Sequence, residues 1–176
     1  MKNVRLRQKD WIEAGLDALL KGGPMALKAE PLARALGTTK GSFYWHFKDI
    51  AHFHSQVIAH WEVSALAEMI DDIEQQDSPL TALHKQLHHN AAKQKYEPAM
   101  RAWARSFKPA AQALEQVDTA RIKYLTALLK RCDVRNPALA CALYAASIGM
   151  TDLAQSDPKM PEEALDTVLD LILALR

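Results

Sequence analysis

Residues 37 to 48, Gly-Thr-Thr-Lys-Gly-Ser-Phe-Tyr-Trp-His-Phe-Lys, gather an ammonium pair, three hydroxyls, a phenol, an indole and an imidazole in one short stretch. These are hydrogen-bond donors of the kind that suit phosphate oxygens and base edges. The preceding stretch, Leu27 to Leu36, is apolar at helical spacing. Gly37 follows it, where a helix must stop and the backbone must turn sharply, which glycine does at least cost. Ala33, four residues before, is small enough for a second helix to cross nearby. Two helices joined by a tight turn is the local reading, with the donors on the second.

The rest of the chain supplies the elements that must hold this pair. A first helix over about residues 5 to 21 carries Trp11, Ile12, Ala14, Leu16, Leu19 and Leu20 and is stopped by Gly22-Gly23-Pro24. The second spans about 29 to 36, with Pro31 in its first turn, where a missing N–H costs nothing, and with Lys28 unable to supply a capping oxygen. The third spans about 39 to 45, with Thr38 as its cap. A long fourth helix over about 49 to 73, capped by Asp49, carries Phe53, Val57, Ile58, Trp61, Leu66, Met69 and Ile70 and bridges two domains. Ser78-Pro79 opens a fifth helix to about 95, Pro98 begins a short sixth, Pro109 a seventh to about 131, and Asn136-Pro137 an eighth to about 154. Ser156-Asp157-Pro158 breaks the chain before a ninth helix from Glu162 to Leu175. No stretch alternates, so the fold class is all-α, and 176 residues suffice for one sizeable core or two small ones.

On these residues the chain resembles TetR-family transcriptional regulators. Arg7 to Trp61 follows that family's DNA-binding domain, with Gly37, Lys40-Gly41, Tyr44, His46-Phe47 and Lys48 at family spacing. Two departures stand out. Lys28 occupies a position where the family usually has Ser or Thr, and Ile50-Ala51-His52-Phe53 replaces a Lys-Glu-Glu-Leu-like run. Arg101-Ala102-Trp103-Ala104 with Val117-Asp118 and Arg121 is similar, more loosely, to one variety of the family's carboxy-terminal domain. The resemblance implies an amino-terminal three-helix helix-turn-helix domain over residues 1–54 and a helical ligand-binding and dimerisation domain over 55–176, about nine helices in all. It implies that the third helix lies in the major groove. Thr38, Thr39 and Lys40 then face base edges, and Gly41 permits close approach. Ser42, Tyr44, His46 and Lys48 meet phosphates, and Trp45 meets a sugar or a thymine methyl. His46 is equally readable as a structurally bonded histidine. Phe43 and Phe47 belong to the core. Lys2, Arg5 and Arg7 form either an arm reaching an adjacent groove or a solvated terminus.

Charge supports a nucleic-acid-binding end. Net charge is +1, but residues 1–54 hold nine Lys/Arg against five Asp/Glu, and the remainder thirteen against sixteen. Trp61, Met69, Leu87, Met100, Trp103, Phe107 and Tyr124 either line a cavity for a small-molecule effector or form ordinary core. The expected partners are double-stranded DNA carrying a palindromic operator, an unknown effector, and a second copy docked through about 137–154 and 162–175. There Leu139, Leu143, Tyr144, Ser147, Ile148, Met150, Leu165, Val168, Leu169, Ile172 and Leu173 form a set too apolar for one inward stripe. Ala142, Ala145, Ala146 and Gly149 permit close helix approach.

The competing reading is a helical-bundle metal-binding protein or enzyme using His84 and His88, four apart on one face. Against it, the sequence has no Glu-x-x-His, Gly-x-Ser-x-Gly, His-Glu-x-x-His or phosphate-cradling glycine loop. Neither a cofactor nor enzymatic activity is expected. Cys132 and Cys141 lack metal-like spacing, no apolar run reaches membrane-spanning length, and the amino terminus has no signal-peptide hydrophobic region. The expectation is a cytoplasmic, ligand-responsive homodimeric repressor.

Overall fold

The computed structural model describes residues 6–74, 78–93, 95–153 and 160–174. Lys2, Arg5, Ser156-Asp157-Pro158 and Leu175 lie outside the described residues, as do the side chains of Ile70, His88 and His89. Among the described residues there is no strand, and nine α-helices follow in order: α1 (Gln8–Gly22), α2 (Ala29–Ala35), α3 (Lys40–His46), α4 (Ile50–Glu74), α5 (Pro79–Lys93), α6 (Glu97–Ala104), α7 (Lys108–Arg131), α8 (Pro137–Leu153) and α9 (Met160–Leu173). A single 3₁₀ turn, Pro24–Ala26, joins α1 to α2. The all-α expectation holds.

Helix ends follow local chemistry. Asp10 accepts the Arg7 N–H at 2.6 Å, starting α1 at Gln8 rather than near residue 5. At the end of α2 the Gly37 backbone is left-handed (φ 63°). There the Gly37 N–H donates to Arg34 O at 3.2 Å and the Thr38 N–H to Ala33 O at 2.9 Å, a Schellman closure. That closure commits Thr38 to α2. The cap of α3 is therefore Thr39, one residue later than the sequence suggested, its hydroxyl accepting from the Ser42 N–H at 3.3 Å. Lys28 makes no side-chain cap to α2, as expected of a residue without an acceptor.

Packing divides the chain into two compact units, Met1–Ser64 with Tyr96–Glu115, and Ala65–Lys95 with Gln116–Arg176. This division describes packing alone.

The first unit is centred on the fully buried Trp11, Phe43, Phe47 and Phe53. Tyr96 donates to Asp17 at 2.8 Å, and Arg101 reaches the buried Glu97 with Nε at 3.0 Å and Nη2 at 2.7 Å. Gly15 is where α1 meets α4. A Cβ there would lie 2.6 Å from Phe53 Cζ and 3.2 Å from Val57 Cγ2. Gly15→Ala should therefore lower stability by about 1–3 kcal/mol, because the ring it strikes is buried and cannot yield freely. Thermal denaturation checks this, and an unchanged midpoint would refute the close crossing.

The second unit buries Leu83, Leu87, Leu125, Leu128, Leu129, Leu143, Leu169 and Ile172. A polar chain runs inside it: Arg121 Nη1 donates to the Tyr144 hydroxyl at 3.2 Å, which donates to Asp118 at 2.7 Å. Leu143, Tyr144, Ser147, Leu165, Leu169, Ile172 and Leu173 are all buried here within a single chain. Leu139, Ile148 and Val168 pack partly against the same core. One chain thus buries most of the apolar set expected to require a partner, while Leu139, Ile148, Met150 and Val168 stay half-buried.

Candidate nucleic-acid interface

α3 has two faces because its residues repeat every 3.6 positions. Phe43 and Phe47, one turn apart, point inward, and their rings meet at 5.0 Å. Trp11 packs edge-on against Phe43 at 5.4 Å, and Phe53 closes on Phe43 at 5.2 Å and on Phe47 at 4.9 Å. Edge-to-face aromatic pairs of this kind fix ring orientation as well as burying area. The opposite face is open: Thr39, Lys40, Gly41, Tyr44 and Lys48 are exposed, and Trp45 is 88% exposed. An indole so displayed contributes nothing to the core. Thr38, Ser42 and His46 are half-buried. The His46 ring lies 6.4 Å from Trp11 and 6.3 Å from Phe47, in a partly packed position. Tyr44 rests its ring edge-on against Phe43 at 5.3 Å, which aims the phenol outward.

Lys48 is fixed at the start of α4. Asp49 accepts the His52 N–H at 2.7 Å, and His52 Nδ1 accepts the Lys48 N–H at 3.3 Å. Asp49 thus caps α4, and the His52 imidazole takes the N–H of the residue before the cap rather than that of the cap itself.

A groove of about 380 Å³ adjoins the open face, lined among others by Lys28, Glu30 and Arg34 from the α2 segment, Lys40 and Tyr44 from α3, and Ile50. Three cations meet one carboxylate, and Glu30 is already occupied by Arg34 at 3.4 Å. Lys28 and Arg34 did not emerge from the sequence as interface residues. The signal available was their place in the basic amino-terminal third, but only the α2–α3 packing brings them beside Lys40.

The effector candidates distribute over both units. Trp61, Met100 and Trp103 are buried and Phe107 half-buried in the first; Leu87 is buried and Met69 and Tyr124 half-buried in the second. Phe107 stacks on Trp103 at 5.0 Å and 5°, so one indole face is occupied by a side chain. In the second unit His84 Nδ1 lies 3.1 Å from Asp166 Oδ1. No described helix is long and apolar enough to cross a membrane.

Neither protein-family models nor curated proteins match the sequence. Solved structures do match. A TetR transcription regulator from Haloarcula marismortui superposes with TM-score 0.76 at 16% identity, covering 95% of this chain and 96% of its own. SmeT, the repressor of the Stenotrophomonas maltophilia multidrug efflux pump SmeDEF, gives 0.68 at 17% identity over 97% and 90%. A transcriptional regulator from Rhodococcus gives 0.75 at 17% over 97% and 95%. The chain has the TetR-regulator fold. In that fold the helix-turn-helix is α2–α3, the pair whose outer face is described above. At such identities the TetR likeness speaks for the fold, and each residue's role rests on this chain's own geometry.

Proposed function

We propose that the protein is a homodimeric, ligand-responsive transcriptional repressor that reads a palindromic site in double-stranded DNA through α3. The observation that carries this reading is the open Lys40, Gly41, Tyr44 and Trp45 face on a helix anchored by two buried phenylalanines, with the exposed Lys48 just past its end. A packed core helix has no use for such a face, and a major groove does. Thr38, Thr39 and Lys40 read base edges. Ser42, Tyr44, His46 and Lys48 grip phosphates, and Trp45 meets sugar or a thymine methyl. Lys28 and Arg34 extend the phosphate contact along the basic groove, with the Arg34–Glu30 pair opening to do so. Residues 1–54 act on DNA, and 55–176 sense an effector and dimerise.

The dimer surface is the outer face of α8. Ala138, Ala142, Ala145, Gly149 and Leu153 fall on one side of that helix and are exposed, and no charge occurs from Ala138 to Met150. Leu171 of α9 is 64% exposed. An uncharged face of small residues suits a two-fold helix pairing, as in a four-helix bundle. Two recognition helices about 34 Å apart would then meet successive major grooves. An effector favouring a splayed arrangement lowers DNA affinity by population shift.

Sequencing DNA fragments selected by the purified protein tests the reading, with a recurrent palindrome as the expected result and no enrichment as the refuting one. Lys48→Ala should weaken all sequences alike and reduce the slope of log affinity on log salt by about one unit. Tyr44→Phe should also weaken binding without changing preference, whereas Lys40→Ala should change the preferred sequence. An unaltered salt slope in Lys48→Ala would remove Lys48 from the phosphate contacts.

A further inference from the structure

We propose that His54 is a positioning residue that ties the Trp103–Phe107 stack to the entry of the helix-turn-helix; its effect on DNA binding rests on the function proposed above. α2 starts without a side-chain cap, because Lys28 has no acceptor to offer. The carbonyl of Leu27, the residue before Lys28, accepts from His54 Nε2 on α4 at 3.1 Å, across 27 residues of sequence. Because a carbonyl can only accept, Nε2 carries the proton of this bond. Leu27 itself is buried, and its N–H donates to Pro24 O at 3.1 Å. Both backbone groups of the residue leading into α2 are therefore engaged, one of them by a side chain from a distant helix.

The aim of that side chain is set from its other side. The His54 ring stands perpendicular to Trp103 at 5.2 Å and 88°, and to Phe107 at 5.8 Å and 84°. Trp103 and Phe107 are parallel to within 5°. A ring held perpendicular to a rigid stack has little freedom about its last torsion, and that torsion decides whether Nε2 faces Leu27. Trp103 lies on α6, and Phe107 immediately precedes α7. A shift of this corner turns the imidazole and releases the carbonyl, loosening the first turn of α2. All these residues belong to the first packing unit.

Three variants separate the ring from the hydrogen bond. His54→Phe keeps an aromatic ring without a donor, His54→Gln keeps a donor without the ring, and Trp103→Leu removes the stack. The direct readout is hydrogen exchange of the Leu32 N–H, which closes the first turn of α2 on Lys28 O at 3.2 Å. Loss of this partly buried hydrogen bond should speed that exchange about five- to tenfold in His54→Phe. His54→Gln should restore most of the protection, which a purely packing role for the ring would not. Trp103→Leu should speed exchange in the native background and add nothing in His54→Phe, since both act through one contact. On the selected palindrome His54→Phe should bind about tenfold more weakly with the salt slope unchanged, because no phosphate contact is lost. Wild-type exchange rates in His54→Phe, or simple additivity with Trp103→Leu, would overturn the proposal. Altered exchange in a protein that selects no DNA would support the positioning role and refute the regulator.

Discussion

A folded monomer that has lost its hold on a palindromic operator is the expected product of Ala145→Asp. Ala145 is exposed on the outer face of α8, so the single chain gives up no core packing. The cost to the protomer is the helix preference of Ala over Asp, about 0.5–0.7 kcal/mol. Across a two-fold axis the same substitution buries two carboxylates on a face with no cation between Ala138 and Met150 to meet them. The desolvation penalty is several kcal/mol per ion, enough to abolish association at micromolar concentration. Each half-site must then be bound separately, and apparent operator affinity should fall by about 10²–10⁴ as the linkage between half-sites disappears. Sedimentation and operator titration check this; a variant that still sediments as a dimer would exclude the α8 face. Ile172→Asp does not serve, because Ile172 is 5% exposed within its own chain, and a charge there would unfold the second unit whatever the oligomer.

Phe43→Ala should remove a large share of the first unit's stability. The ring is 0% exposed and touches Trp11, Tyr44, Phe47 and Phe53 at centroid distances of 5.4, 5.3, 5.0 and 5.2 Å. Deleting such a ring costs about 3–5 kcal/mol, against about 5–15 for a whole domain. A cooperative unit of this size should melt about 15–30 °C lower. Because α3 hangs from Phe43 and Phe47, its outer face should lose its fixed aim before the rest of the chain loses helix content. Near-ultraviolet circular dichroism should then fall at temperatures where the far-ultraviolet signal persists. Phe43→Leu, which keeps most of the volume, should recover more than half the loss. A melting change of only a few degrees in Phe43→Ala would show that the aromatic cluster does not hold α3.

The sequence by itself determined the features set by neighbours within a turn or two. Gly22-Gly23-Pro24, Gly37, Ser78-Pro79 and Asn136-Pro137 end or begin helices because their backbone preferences act locally. The two faces of α3 were legible for the same reason, since a 3.6-residue repeat sends Phe43 inward and Lys40, Gly41 and Tyr44 the other way. The tertiary structure decided whatever needs a partner far along the chain. Thr39 rather than Thr38 caps α3 because the closure of α2 takes the Thr38 amide. Lys28 and Arg34 join Lys40 around one groove only once α2 and α3 are packed. α8 is apolar on both sides, so its composition was silent about which side faces in. The packed core settles that, burying Leu143, Tyr144 and Ser147 and leaving Ala142, Ala145 and Gly149 outside. His54 was the least legible of all, because its partners Leu27, Trp103 and Phe107 lie on three other segments, and no local pattern records a contact made across a fold.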